Sequence, residues 1–248
     1  MVKSPAMLQD ILAGRTAASI DDVIAMMTAI DQRLPDADGV KWFNRLYLRV
    51  TERVRAAVAT AHFSDPRFMT ALDVVFANLY FSALGEADVD ASRAPSAWQP
   101  LFAARAKPRI ARLQFALAGM NAHINRDLPV GIVRVFEDLG GDPVTGEAEH
   151  RDFDSVNDIL ASVEVEIKAE FAVGLIGAID AAAGRIDDVV AMWNVRAARA
   201  AAWTNAQVLW TLRVVPPLQA SFFQRLDSFT GLAGRGLLMP ASEGEIGV

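Results

Sequence analysis

Between Arg67 and Leu84 the sequence carries apolar residues nearly all round a helical wheel: Leu72, Val74, Val75, Phe76, Leu79, Tyr80 and Phe81. Asp73 and Asn78 are the interruptions. A helix without a polar face has to be covered on every side, so this one is expected to run through the middle of the fold. The chain as a whole is suited to helical covering, with 43 alanines, two tyrosines and few β-branched runs. An all-α fold follows: a single compact domain of about eight helices, bundle-like or orthogonal.

Helix ends can be read from capping chemistry. Ser19 precedes Ile20-Asp21-Asp22, with an N-cap hydroxyl followed by acidic residues where the helix dipole favours them. That helix runs to about Leu34, before Pro35 and Gly39. Val40, Phe43, Leu46, Tyr47, Val50 and Val54 then repeat at three- and four-residue spacing. Asp65-Pro66 starts the central helix, because proline suits the first helical position.

Gly85 to Pro95 reads as a loop. Pro108 opens a helix through Leu113, Leu117 and Ile124, which Pro129 should kink. A second loop, Gly140 to Asp152, precedes a long helix containing Val156, Leu160 and Val163. Gly184 separates this from a helix spanning Ile186 to Arg213, which Pro216-Pro217 ends. A short helix near Leu218 to Phe229 leads to a glycine-rich tail. Residues 1–18 are accordingly expected as an N-terminal segment, 19–230 as the domain and 231–248 as a flexible tail. Ile20–Met26 and Ile186–Met192 echo one another, as two similar helix starts do.

Composition narrows the function. The chain has 248 residues and is 52% hydrophobic and 22% charged, amply apolar for one core. Its net charge of −6 argues against a general nucleic-acid binder, which needs Lys and Arg for phosphates. The absence of cysteine excludes disulfide scaffolds, thiolate metal sites and cysteine nucleophiles. No secretory leader is read between Met1 and Leu12. The apolar run Phe171–Ile179 is about half the roughly 20 residues that a membrane span needs. A cytoplasmic protein with no membrane or nucleic-acid partner is expected.

Three segments place polar residues where burial is expected. In Asn121-Ala122-His123-Ile124-Asn125-Arg126-Asp127-Leu128-Pro129, His123 and Asp127 are four apart and share a helix face, with Asn121 and Asn125 beside them. Pro129 lacks an N–H, which should leave the Asn125 carbonyl as a free acceptor. The cluster reads as a buried network pinning the kink, as an acid/base His123 oriented by Asp127, or as half of a metal site.

The second segment, His150 to Asp158, offers Asp152 or Asp154 as the cap of the long helix, with Asn157 one turn inside. Its dipole end would favour an anionic ligand if it packed beside Pro129. The third is the stripe Arg196, Arg199, Trp203, Ala206 and Trp210, suited to carboxylate or phosphate recognition and equally to a core edge. Trp42, Tyr80 and Trp98 are further candidates for an aromatic wall, and His62 reads as a loop residue. Phosphate loops, dinucleotide fingerprints, Gly-x-Ser-x-Gly elbows, His-Glu-x-x-His and paired Glu-x-x-His motifs are all missing.

Three stretches carry a resemblance: Asp38 to Thr51, Asn121 to Leu128 and Trp203 to Ala206. They resemble a bacterial and fungal family catalogued as a domain of unknown function, over roughly residues 15 to 230. Its most specific motif is Asn-Ala-His-Ile-Asn-x-Asp-Leu, and the resemblance implies no activity. A weaker, local similarity is to helical zinc-dependent phospholipases and nucleases, which use His-x-x-x-Asp pairs. Their sites need more histidines than the three present.

The reading favoured is a cofactor-free enzyme, of cyclase, isomerase, lyase or hydrolase type, or a ligand-binding domain for a small, largely apolar molecule. His123 transfers a proton and Asp127 orients it. Asn121, Asn125, Asp154 and Asn157 contact substrate, Arg199 neutralises a carboxylate or developing charge, and Trp203 and Tyr80 form the wall. One alternative is a metal-dependent hydrolase holding one divalent ion on His123, Asp127, His150 and Asp154. Another is a non-catalytic binding or assembly protein. A homodimer is left open.

Overall fold

The computed structural model describes the backbone of residues 7–173 and 194–239, with side chains placed for 7–163 and 194–239. The Gly184 break, the Ile186–Met192 echo and the end of the apolar run at Ile179 lie outside the described residues. Among those residues there is no strand, and the fold is all-α.

The first helices are α1 (Gln9–Leu12), α2 (Ile20–Arg33), α3 (Gly39–Ala59) and α4 (Pro66–Val89). After a 3₁₀ turn at Ala91–Arg93 come α5 (Gln99–Ala104) and α6 (Arg112–Ala122). A π turn at His123–Asp127 joins α6 to α7 (Leu128–Leu139). The described chain continues with α8 (Glu147–Val173), α9 (Val195–Leu212) and α10 (Pro216–Leu237).

Capping chemistry sets several of these ends. Ser19 Oγ accepts from the Asp22 amide at 3.1 Å, and an Asp65 carboxylate oxygen accepts from the Phe68 amide at 3.0 Å. Asp38 accepts from the Val40 amide at 3.0 Å and also holds the Arg105 guanidinium at 2.6 Å. Gly140 ends α7 with φ of 82°, a conformation that costs glycine little.

The apolar helix α4 occupies the centre, against α2, α3, α7, α8 and the π turn. By length and composition it could cross a membrane, yet over half of its apolar stretch is buried against these neighbours. Phe68 and Phe81 are 2% and 3% exposed, and Tyr80 is fully covered. Helix α3 approaches α6 closely because Gly119 has no side chain: a Cβ there would collide with the Phe43 ring.

Several boundaries differ from expectation, each for a visible reason. Residues 85–89 extend α4 rather than loop out, and Asp88 anchors the N-terminal segment by accepting from the Met7 and Leu8 amides. The core therefore begins at Leu8, ahead of residue 19. Helix α6 starts at Arg112 rather than Pro108, with Gln114 Oε1 accepting from the Ala111 amide at 3.0 Å.

The long helix α8 starts at Glu147, inside the expected loop, with Glu147 and Glu149 in its first turn. Asp152 and Asp154 are therefore interior residues and not its caps. Asp152 instead accepts from the Ser64 and Asp65 amides at 2.9 and 2.6 Å, tying α8 to the start of α4. The glycines after 230 do not release a tail at 231, because α10 continues to Leu237. Gly231 lets it pass over the Ser96 carbonyl, where a Cβ would not fit. Gln114 Nε2 then binds the Leu237 and Met239 carbonyls, both at 2.9 Å.

Candidate active site

The expected kink before Pro129 takes the form of a widened turn. Across His123–Asp127 the Leu128 amide donates to the His123 carbonyl, five residues back rather than four. Pro129 has no N–H with which to extend this pairing, and α-helical geometry resumes through α7. The turn touches α4, α6, α7, α9 and α10, so its side chains enter the middle of the protein. His123 is 2% exposed and Asp127 is fully buried.

Asp127 is densely satisfied. One carboxylate oxygen lies 3.0 Å from His123 Nδ1 and accepts from the Trp98 indole N–H at 3.0 Å. The other accepts from Arg126 Nη1 at 2.6 Å. Arg126 also reaches toward Asp227, 3.3 Å away, which accepts from the Ser96 and Ala97 amides. A carboxylate can only accept, so His123 Nδ1 carries the proton and Nε2 keeps a lone pair. Burial holds the imidazole below its usual pKa, opposed by the Asp127 hydrogen bond.

The ring is clamped as well as oriented. Phe76 stacks on it at 3.4 Å with planes 6° apart, and the Tyr47 ring meets it edge-on at 4.6 Å. Its buried Nε2 has no hydrogen-bond partner among the described residues.

His123 lines a cavity of about 80 Å³. The walls are largely apolar, including Phe43, Leu46, Val50, Met69, Leu72 and Leu128. Four residues with polar heads share that lining: Tyr47, Asp73, His123 and Arg199. Asp73 Oδ2 and the Tyr47 hydroxyl are buried and, like His123 Nε2, unpartnered among the described residues. Burial pushes Asp73 up to about 7. Tyr47 is raised well above an ordinary phenol by burial, then by the charges of Asp73 and Asp127.

Arg199 reaches the cavity from α9. Its Nε donates to Asn157 Oδ1 at 3.0 Å and its Nη2 to the Phe153 carbonyl at 2.6 Å, while the guanidinium lies 4.0 Å from the Phe153 ring centroid. No carboxylate lies within ion-pair distance among the described residues. Burial lowers Arg199 to about 10, with the Asp154 charge opposing, so it stays cationic at neutral pH.

Residues 20–240 match the description of a family of unknown function, DUF5995. The chain belongs to that family. No curated protein and no solved structure matches it.

In this DUF5995 member the residues singled out from sequence separate into three groups. His123, Asp127, Asn157 and Arg199 meet at or directly behind the cavity. Asn121 and Asn125 face away from it: Asn121 Nδ2 donates to the Thr230 carbonyl at 2.9 Å, and its Oδ1 accepts from Asn125 at 3.0 Å. They fasten the π turn to α10. Tyr80 and Trp203 are core residues and not cavity walls. Tyr80 donates to Asn44 at 3.3 Å, and Trp203 packs among Phe68, Phe136 and Phe153.

The four-ligand metal set does not assemble. His123 and Asp127 are buried, whereas His150 and Asp154 form a loose pair at 3.8 Å whose side chains are 44% and 53% exposed. Among the described residues no three His, Asp or Glu side chains are grouped to hold an ion. Asp154 acts on Arg199 through its charge, and His150 stacks on Trp203 at 4.5 Å. The helix-dipole reading fails too, because α8 begins at Glu147 rather than beside Asp154.

Sequence reasoning missed Tyr47 and Asp73 as site residues. Tyr47 fits the apolar period of α3 and so reads as core. Asp73 carried a usable signal: it sits on the same stripe as Met69, Leu72 and Phe76, where helical spacing demands an apolar side chain.

Proposed function

We propose that this protein is an acid–base enzyme acting on a small, largely apolar organic molecule that carries an anionic group. The observation that carries this reading is the pairing of a base and an unneutralised cation around one cavity. His123 presents a bare Nε2 lone pair, held by the Asp127 hydrogen bond and the Phe76 stack. Arg199 supplies the buried positive charge. A network that only pinned the helix would not need to leave His123 Nε2 unpartnered, whereas both oxygens of Asp127 are bonded.

The geometry supports a division of labour. Asp127 fixes the tautomer, so Nε2 accepts a proton and the resulting imidazolium is stabilised by the adjacent carboxylate. Arg199, held in place by Asn157 and the Phe153 carbonyl, binds a carboxylate and so positions the reacting carbon. Apolar walls exclude water and strengthen both interactions.

Two measurements test this. In ¹⁵N NMR of the full chain at pH 7, the histidine signals lost in His123→Gln should include one unprotonated Nε2 and one protonated Nδ1. A thermal-shift titration should show stabilisation by 4-methylpentanoate and not by 4-methylpentanamide, with the difference abolished in Arg199→Met and reduced in Arg199→Lys. A protonated His123 Nε2, or equal response to acid and amide, overturns the reading.

A further inference from the structure

The cavity holds more chemistry than one base and one cation require. Its base is opposed by two groups that a structural role leaves unexplained: the Asp73 carboxyl and the Tyr47 hydroxyl. Both are buried, both lack a partner among the described residues, and both line the surface that His123 lines. Burying such atoms without hydrogen bonds destabilises the fold, so a retained set around a common cavity points to a ligand that satisfies them.

Their placement follows from the helices. Asp73 and Phe76 are three residues apart on α4 and share a face. Phe76 is the ring stacked on His123 at 3.4 Å, so Asp73 lies one turn from the imidazole plane. Tyr47, from α3, meets Phe76 at 5.7 Å and His123 at 4.6 Å. Three elements thus bring two O–H donors and one bare nitrogen to a single apolar recess.

Resting on the assignment of His123 as base, we infer that Asp73 and Tyr47 bind the carbonyl oxygen of a small ketone or related carbonyl compound whose α-proton His123 removes. The α C–H bond breaks and its proton passes to Nε2. Its electron pair forms a carbon–carbon double bond, and the carbonyl π pair moves to oxygen. That oxyanion is held by hydrogen bonds from the Asp73 carboxyl and the Tyr47 hydroxyl. Return of the proton from Nε2 to the same or a conjugated carbon restores the carbonyl and the enzyme, with no oxidant or reductant consumed. A carboxyl of raised pKa in a water-excluding recess remains a donor near neutral pH, as the step requires.

The recess fits this chemistry in size. About 80 Å³ accommodates a reacting carbonyl with a few neighbouring atoms, less than the roughly 150 Å³ cavity known to admit a benzene ring. The substrate is therefore small, or presents only its carbonyl end.

Deuterium exchange tests the assignment. The full chain in D₂O is incubated with 2-butanone or 4-oxopentanoate, and loss of α-proton signal is followed by NMR. The wild type should exchange the α-protons above the buffer rate, with the carboxylate-bearing probe faster. Asp73→Leu should lower this rate about 10²–10³-fold and Tyr47→Phe measurably, circular dichroism showing both folded. The carbonyl band of ¹³C-labelled 4-oxopentanoate should shift to lower frequency when bound to the wild type and lose that shift in Asp73→Leu. A second variant, Asp73→Asn, covers a failure of leucine to fold. Its amide remains a donor but does not titrate, so exchange should fall less than in Asp73→Leu and no longer decline as pH rises through about 7.

Exchange abolished by His123→Gln but unaffected by the Asp73 and Tyr47 variants overturns the carbonyl-binding pair and leaves His123 as base. No exchange of either probe by the wild type also overturns it. The acid-versus-amide titration then judges the base–cation reading separately.

Discussion

The two edges of the His123 ring lie in opposite environments. On the Nδ1 edge a chain of partners runs through Asp127 to Trp98 and Arg126, with Arg126 Nε reaching toward Asp227. Toward the cavity His123, Tyr47 and Asp73 present unpartnered buried atoms, and Thr51, four residues from Tyr47 on α3 but outside the lining, has another. One side fixes the ring, and the other is the side that the proposed function assigns to a ligand. A side chain that merely filled space would not need both.

This asymmetry predicts effects of opposite sign. The largest belongs to Asp127→Ala, which strands the Trp98 N–H, the His123 Nδ1–H and the Arg126 guanidinium in the core. A loss of roughly 3–5 kcal/mol is expected, read as a fall in the midpoint of urea unfolding. A variant within 1 kcal/mol of wild type would show that the network is not holding the turn.

Asp73→Leu should do the reverse and stabilise the fold. The Asp73 carboxyl has a pKa of about 7 in the folded chain against 3.8 when unfolded, so the folded state holds a proton that the unfolded state has released. Wild-type stability therefore falls as pH rises from about 4 to 7, and the leucine variant escapes this. The gain at pH 7 should be on the order of 4 kcal/mol at most, shrinking toward pH 4. His123 contributes the opposite slope. Its folded pKa is depressed, so its stabilisation is present above about 6.5 and lost as pH falls. A gain that did not vary between pH 4 and 7 would contradict a buried, titrating Asp73.

The same two groups bound the α-proton exchange. His123 must be neutral and Asp73 protonated, so the rate should be bell-shaped, with a maximum below pH 7. Tyr47 and Arg199 also line the cavity, with Asp127 and Arg126 behind His123, and Asp73→Asn should remove the alkaline limb alone. The smallest effect is expected for Thr51→Val, which removes one unpartnered hydroxyl without changing shape. Its stability should rise by about 1 kcal/mol or less, measured by urea unfolding.

Much of this architecture can be read from residue order. Ser19 and Asp65 cap as their sequences predict, and the centrality of α4 follows from its lack of a polar face. The His123–Asp127 pair is visible because four-residue spacing survives the widened turn. Helix ends set by distant contacts were not visible. Asp152 looks like a cap for its own helix and instead serves Ser64 and Asp65, 88 and 87 residues away. The glycines of α10 look like a tail until Ser96 and Pro100 lie beneath them. Asp73 stayed hidden because a lone carboxylate in an apolar run reads as a tolerated interruption. Its meaning depends on which helix face turns inward, and packing decides that.

The extra residue accommodated between His123 and Asp127 has a mechanical consequence. In an α-helix each residue advances the chain by about 100°. The π turn absorbs one such step, so deleting a position inside it would close the turn and leave Leu128 to Leu139 in register. A deletion just beyond it would instead carry Ile132, Val135 and Phe136 off the core they now enter. A deletion within the turn should therefore spare the downstream rod and disturb the His123–Asp127 pairing, while one further along α7 should disturb the core.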